Sequence, residues 1–114
     1  MTDHTTRDQP LTPAVFHVLL ALADGPLHGY GVMKRVEEHS GIAMGPGTIY
    51  GSLQRLEEAA WVEVSSVDGD ARRTRRFALT ADGREALRTE AGRLSRLAHL
   101  VEAKDLVPSP VSGG

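Results

Sequence analysis

The sequence predicts a mainly α-helical fold that carries one small β-hairpin. Four segments repeat apolar residues at helical spacing, and Gly-Pro and Ser-Gly breaks separate the first three of them. Between the third and fourth, two short stretches alternate apolar and polar residues on either side of an Asp68-Gly69 turn signal. The 114 residues suit one compact domain. A chain of this size buries roughly two-thirds of its unfolded surface, so a second copy is a ready way to bury more. Hydrophobic residues make up 40% and charged residues 25%, an ordinary globular balance. The absence of cysteine excludes disulfides, thiol catalysis and Cys-ligated zinc. The longest apolar run, Val18 to Ala23, is too short to cross a bilayer, and the N-terminal MTDHTTRDQP has no signal-peptide apolar segment. A cytoplasmic protein with no membrane partner is the expectation.

Residues 1–10 read as a flexible arm. Thr12 can cap a helix, and Pro13 suits the first helical position, where no N–H is needed. The helix is predicted over Pro13 to Asp24 and has two apolar stripes. Phe16, Leu19, Leu20 and Ala23 form one; Val15, Val18 and Leu22 form the other. A helix apolar on two sides is buried on two sides, and in so short a chain the second stripe is expected to meet a partner subunit. After Gly25-Pro26, a second helix is predicted from about Gly29 to Glu38, with Val32, Met33 and Val36 inward. Ser40-Gly41 ends it, and Gly45-Pro46-Gly47 opens a third. There Ile49, Leu53, Leu56 and Ala60 share one face. Gly47, Thr48, Gly51, Gln54 and Arg55 lie opposite, with Tyr50 at the margin.

Val62 and Val64 alternate around Glu63, and Phe77 and Leu79 around Ala78, as two strands. Thr80 then caps a last helix from about Ala81 to Lys104. Its Leu87, Ala91, Leu94, Ala98 and Val101 step by four, three, four and three, the spacing of a coiled-coil seam. That seam and the second stripe of the first helix predict a homodimer. The closing LVPSPVSGG is expected to be disordered. The organisation is therefore an arm over 1–10, a folded head over 11–80, a dimerisation helix over 81–105 and a disordered tail over 106–114.

Three short helices, a hairpin and a long closing helix make a winged helix-turn-helix. The third helix suits recognition of DNA. Its buried face is aliphatic, and Gly47, Thr48 and Gly51 let the backbone come close to the duplex. Its N-terminus offers unpaired N–H groups to a phosphate, while Gln54 and Arg55 can reach base edges or phosphates. Arg72, Arg73, Arg75 and Arg76 put four cations within five residues of the hairpin, where guanidinium forks suit phosphate oxygens. From Gly25 to Phe77, Lys34, Arg35, Arg55 and these four are balanced by Glu37, Glu38, Glu57, Glu58, Glu63, Asp68 and Asp70. With a net charge of -2 overall, the positive field is local and few phosphate contacts per subunit are expected.

The runs LTPAVFHVLLALADGPLHGYGVMKRVEE, GPGTIYGSLQRLEEAAWVE and DGDARRTRRFALTADGREAL resemble the PadR family of bacterial transcriptional regulators over about residues 11–100. The single C-terminal helix is similar to that of the short subfamily. The resemblance implies a winged-helix head, a dimerising C-terminal helix, and repression of nearby genes relieved by a small molecule or other signal. It assigns Tyr30, Thr48, Tyr50 and the wing arginines to DNA contact. An effector, if one exists, is expected at the dimer interface. One departure is Ala60, where such sequences usually carry glycine, a residue that relieves a positive φ.

Structural readings stand beside these. Tyr30 can be a half-buried core tyrosine with its hydroxyl in water, and Tyr50 an edge residue of the packing. Trp61 reads as core filling at the helix-to-strand junction, and His28 as a local cap or packing residue. The five histidines show no ligand spacing, so neither a metal nor a cofactor is expected. Glu57 and Glu58 point different ways on a helix, and no nucleophile–base arrangement is present, so no enzyme activity is expected. The rival functional reading is a winged-helix module whose arginines bind an acidic protein.

Overall fold

The structure is a computed structural model that describes residues 10–67 and 75–107. Its elements in chain order are α1 (Pro13–Ala21), β1 (Leu27–His28), α2 (Gly29–Ser40), α3 (Pro46–Glu58), β2 (Val62–Val67), β3 (Arg75–Leu79) and α4 (Ala81–Ala103). The expected arm lies outside the described residues except for Pro10. So do the Asp68-Gly69 turn and the tail beyond Val107. The fold is the predicted winged helix, mainly helical, with a long C-terminal helix.

The ends of the helices follow from local chemistry. Thr12 Oγ1 accepts from the Val15 N–H at 3.2 Å and Pro13 occupies the first turn, which starts α1. α1 stops at Ala21, short of the expected Asp24. Its exit is a tight turn in which the Leu22, Ala23 and Gly25 amides donate to carbonyls three residues back, and Gly25 takes φ +145°. α2 runs to Ser40 and stops where Gly41 takes φ +75°. The sheet has three antiparallel strands in the order β1-β3-β2, where the sequence predicted two. The added strand pairs Leu27 with Phe77 and His28 with Arg76. On the other side of β3, Val62 faces Leu79 and Val64 faces Phe77, with a register shift between Val64 and Ser66.

α1 is the centre of the core. It touches α2, α3 and α4. Val18 and Leu22 are 0% and 1% exposed and Leu87 is 7% exposed, all within one buried cluster that includes Val32, Ile49, Leu53 and Phe77. This corrects their assignment to a dimer interface. The second stripe of α1 is covered by the chain's own helices, and the first turns of α4, through Ala86 and Leu87, belong to the same core. Val15 is half-buried against that core. Trp61 is buried at the junction of α3 and β2, as its structural reading held.

Ala60 does not extend the buried face of α3; it is exposed and takes φ +64°. The Trp61 amide donates to the Leu56 carbonyl at 2.9 Å and the Ala60 amide to the Glu57 carbonyl at 3.0 Å. This pair of bonds is the Schellman closure that usually carries glycine at the left-handed position. Thr80 then joins three elements. Its Oγ1 donates to the Ala60 carbonyl at 2.6 Å and accepts from the Gly83 amide at 3.0 Å, and its own amide donates to the Trp61 carbonyl at 3.0 Å. Gly83 has to be glycine, because a Cβ there would run into the Trp61 carbonyl oxygen.

On α4, Glu90 is buried and accepts two hydrogen bonds from Arg93, one of them from Nε at 3.1 Å. The Arg93 hydrogen bond holds its carboxyl below the ordinary carboxylate range, helped by the Arg93 charge and the Leu11 backbone N–H, while burial pushes the other way. Glu90 thus ties the chain just before α1 to α4.

Two outcomes follow for stability. Ala60→Gly removes a left-handed strain of roughly 1–2 kcal/mol at the cost of glycine's chain entropy, so a net gain of about 0.5–1 kcal/mol should appear in denaturant unfolding. The folded-state pKa of Glu90 lies below its unfolded value, so its contribution is fully present above the unfolded value and is lost as pH falls through the folded one. Acid titration of the melting temperature should therefore show a decline below the ordinary carboxylate range that is shallower in Glu90→Gln.

Candidate nucleic-acid interface

The aliphatic residues of α3 turn inward, with Ile49, Leu53 and Leu56 buried together with Ser52. That fixes what the helix shows to solvent. Gly47, Thr48, Gln54 and Arg55 are exposed and Gly51 is half-buried. The N-terminus of α3 has Pro46 in its first turn, no acidic residue there and no side-chain cap. Its first amides therefore face outward with their partial positive charge uncompensated. The sequence-assigned residues of α3 come together on one open face.

Tyr50 lies on α3 beside this face, and Tyr30 on the neighbouring α2. Tyr30 lies in the first turn of α2 and is 62% exposed, which sets aside the core-tyrosine reading. Tyr50 is about half exposed, and its ring lies over Gly29. A Cβ at Gly29 would overlap the ring atoms and the hydroxyl. Gly29 thus lets α3 close against the start of α2, a role that the sequence alone did not reveal.

Of the four wing arginines, Arg72 and Arg73 lie outside the described residues. The other two each have a partner within the chain. Arg75 Nη2 donates to both Glu57 carboxylate oxygens, at 3.3 and 3.4 Å, and its guanidinium carbon lies 5.3 Å from the centre of the Phe77 ring. Arg76 Nε donates to His28 Nε2 at 3.4 Å across the β1–β3 pair. Glu57 and His28 are thus the partners of these two arginines, pairings that sequence reasoning missed. His28 occupies the N-cap position of α2 but makes no side-chain cap bond. Between α3 and β3 lies a cleft of about 380 Å³, lined by Tyr50, Leu53, Gln54, Glu57, Arg75 and Phe77.

The far half of α4 is different. Ala91 and Ala98 are exposed and Leu94 is half-buried, while Leu97, Leu100 and Val101 show large apolar surfaces that continue into Leu106 and Val107. Among the described residues no helix is long and apolar enough to cross a membrane, and no group of three or more His, Asp or Glu could hold a metal ion.

A helix-turn-helix with an exposed polar face on its second helix, a three-stranded sheet and a protruding C-terminal helix define a winged-helix protein. Residues 18–89 match the transcriptional regulator PadR-like family, and the chain belongs to it. It is 46% identical over 95 residues to an uncharacterized 37.1 kDa protein in transposon Tn4556 of Streptomyces fradiae. That match takes in 83% of this chain but 26% of the relative, so the chain spans about a quarter of that protein's length. It is 38% identical over 87 residues to the transcriptional regulator Rv3488 of Mycobacterium tuberculosis, covering 75% of this chain and 78% of that one. A crystal structure of a PadR family transcription regulator from Clostridium difficile superposes with a TM-score of 0.69 at 20% identity, over 81% of this chain and 97% of the other, a likeness of fold.

Proposed function

We infer that the chain is a sequence-specific DNA-binding repressor that works in the cytoplasm as a homodimer. One observation carries the reading. α3 presents Gly47, Thr48, Gln54 and Arg55 on an open face with its uncapped N-terminus outward, while its aliphatic side is locked in the core. A buried side fixes the helix rigidly, and small residues at its leading end let it enter a major groove. Gln54 and Arg55 read base edges, Tyr30, Thr48 and Tyr50 border the backbone, and Arg72, Arg73 and Arg76 meet phosphates from the wing.

The dimer forms through the outer face of α4. Leu100 is 55% exposed, and with Leu97 and Val101 it makes an apolar stripe that a monomer seldom leaves open. Ala91, Leu94 and Ala98 lie along the same half of the helix and complete the seam. Two-fold pairing sets two recognition helices about one DNA turn apart, to match a near-palindromic operator. A small-molecule effector would enter where α1 meets α4, at a groove of about 270 Å³ lined by Leu11, Phe16, His17, Arg93 and Leu94.

A gel-shift assay with the DNA upstream of the chain's own gene tests the first claim. Gln54→Ala should relax base preference at one operator position, at a loss of about 1–3 kcal/mol. Arg72→Ala or Arg73→Ala should weaken binding to all sequences and flatten the salt slope by about one unit per lost contact. Binding indifferent to sequence in the unmodified protein would overturn it. For the dimer, Leu100→Glu should sediment as a monomer with an unchanged circular dichroism spectrum and lose tight operator binding. A monomer of the unmodified chain at micromolar concentration that still bound its operator tightly would refute the dimer.

A further inference from the structure

A helix in a major groove and a wing in the neighbouring minor groove straddle one sugar-phosphate strand, since that strand is the wall between the grooves. In this fold the strand would run along the cleft between α3 and β3. Of the residues lining that cleft, Glu57 is the acidic one and Arg75 the basic one. They are joined. Arg75 Nη2 lies 3.3 and 3.4 Å from the two carboxylate oxygens, and the Phe77 ring backs the guanidinium at 5.3 Å. The side chains are 47% and 40% exposed, so the pair is screened and adds little to stability. Its consequence lies in occupancy: a phosphate that reaches this cleft competes with Glu57 for the same guanidinium.

Resting on the DNA-binding reading above, we propose that Glu57 holds Arg75 on the protein and withholds it from the phosphate backbone. Sequence-independent affinity comes almost wholly from neutralised phosphates. Withholding one cation per protomer lowers binding to arbitrary DNA and leaves the base-reading side chains in place. Gln54 is one turn earlier on the same helix and lines the same cleft. The carboxylate adds direct repulsion of a strand that is out of register. The net charge of -2 agrees with a protein that limits backbone contacts.

The test uses the full chain and a fluorescent duplex of mixed sequence, titrated across salt concentration by anisotropy. Glu57→Gln frees Arg75. The slope of log K against log salt should steepen by about 0.9 per bound protomer, and affinity for the mixed duplex at about 0.15 M salt should rise about fivefold. In the double variant Glu57→Gln with Arg75→Gln the slope should return to its unmodified value. Circular dichroism and melting confirm that both variants are folded. An unchanged or shallower slope in Glu57→Gln overturns the proposal, as does a steepening that persists in the double variant. If the unmodified chain bound no duplex at any salt, the DNA-binding reading itself would fail, a result distinct from either of these.

Discussion

Val18, Leu19 and Ala21 of α1, with Leu22 at its C-cap, are shut off from solvent, and three other helices have to cover them. This enclosure sets the rest of the head. α2 and α3 lie against α1 and against each other, which leaves α3 one free face. α4 closes the remaining side with Ala86 and Leu87 before it runs clear of the core. Burial of a few aliphatic side chains on a helix of nine residues thus decides which face of α3 is outward and where α4 leaves the head.

Where one element had one apolar side, the sequence was readable. Ile49, Leu53 and Leu56 fall on a single stripe, so the outward residues of α3 were legible by elimination. α1 was harder. Two stripes say that a helix is covered twice but not by what, and the cover over Val18 and Leu22 came from the same chain. Leu87 was misplaced for a related reason. A heptad seam continues smoothly from the part of α4 inside the core to the part outside it, and spacing cannot mark the boundary. β1 has two residues, too short for alternation to register, so the pairing of His28 with Arg76 was hidden with it.

The charged residues show the same limit. Clustered arginines announce a cationic hairpin, but their partners are set by tertiary approach. Glu57 meets Arg75 across eighteen positions of chain and His28 meets Arg76 across forty-eight. Nothing local in either sequence neighbourhood encodes these pairs. Ala60 is the opposite case. There the left-handed turn follows from the need to close α3 and enter β2 at once, and the backbone adopts it even without the glycine that would make it easy.

Thr80 has a mechanical consequence. One hydroxyl bonds the carbonyl just past α3 and the first-turn amide of α4, while the backbone amide beside it bonds Trp61. The end of α3 and the root of α4 are thereby welded into a single joint, packed closely enough that Gly83 has no room for a methyl group. Such a joint transmits torque instead of absorbing it. α4 has 23 residues, which at 1.5 Å per residue is a lever of about 34 Å. A tilt of about 10° at its far end swings the head through about 6 Å, a sizeable fraction of the roughly 34 Å that separates successive major grooves on one face of DNA. The head is geared to the far end of α4, so a small tilt there is magnified at the outward face of α3.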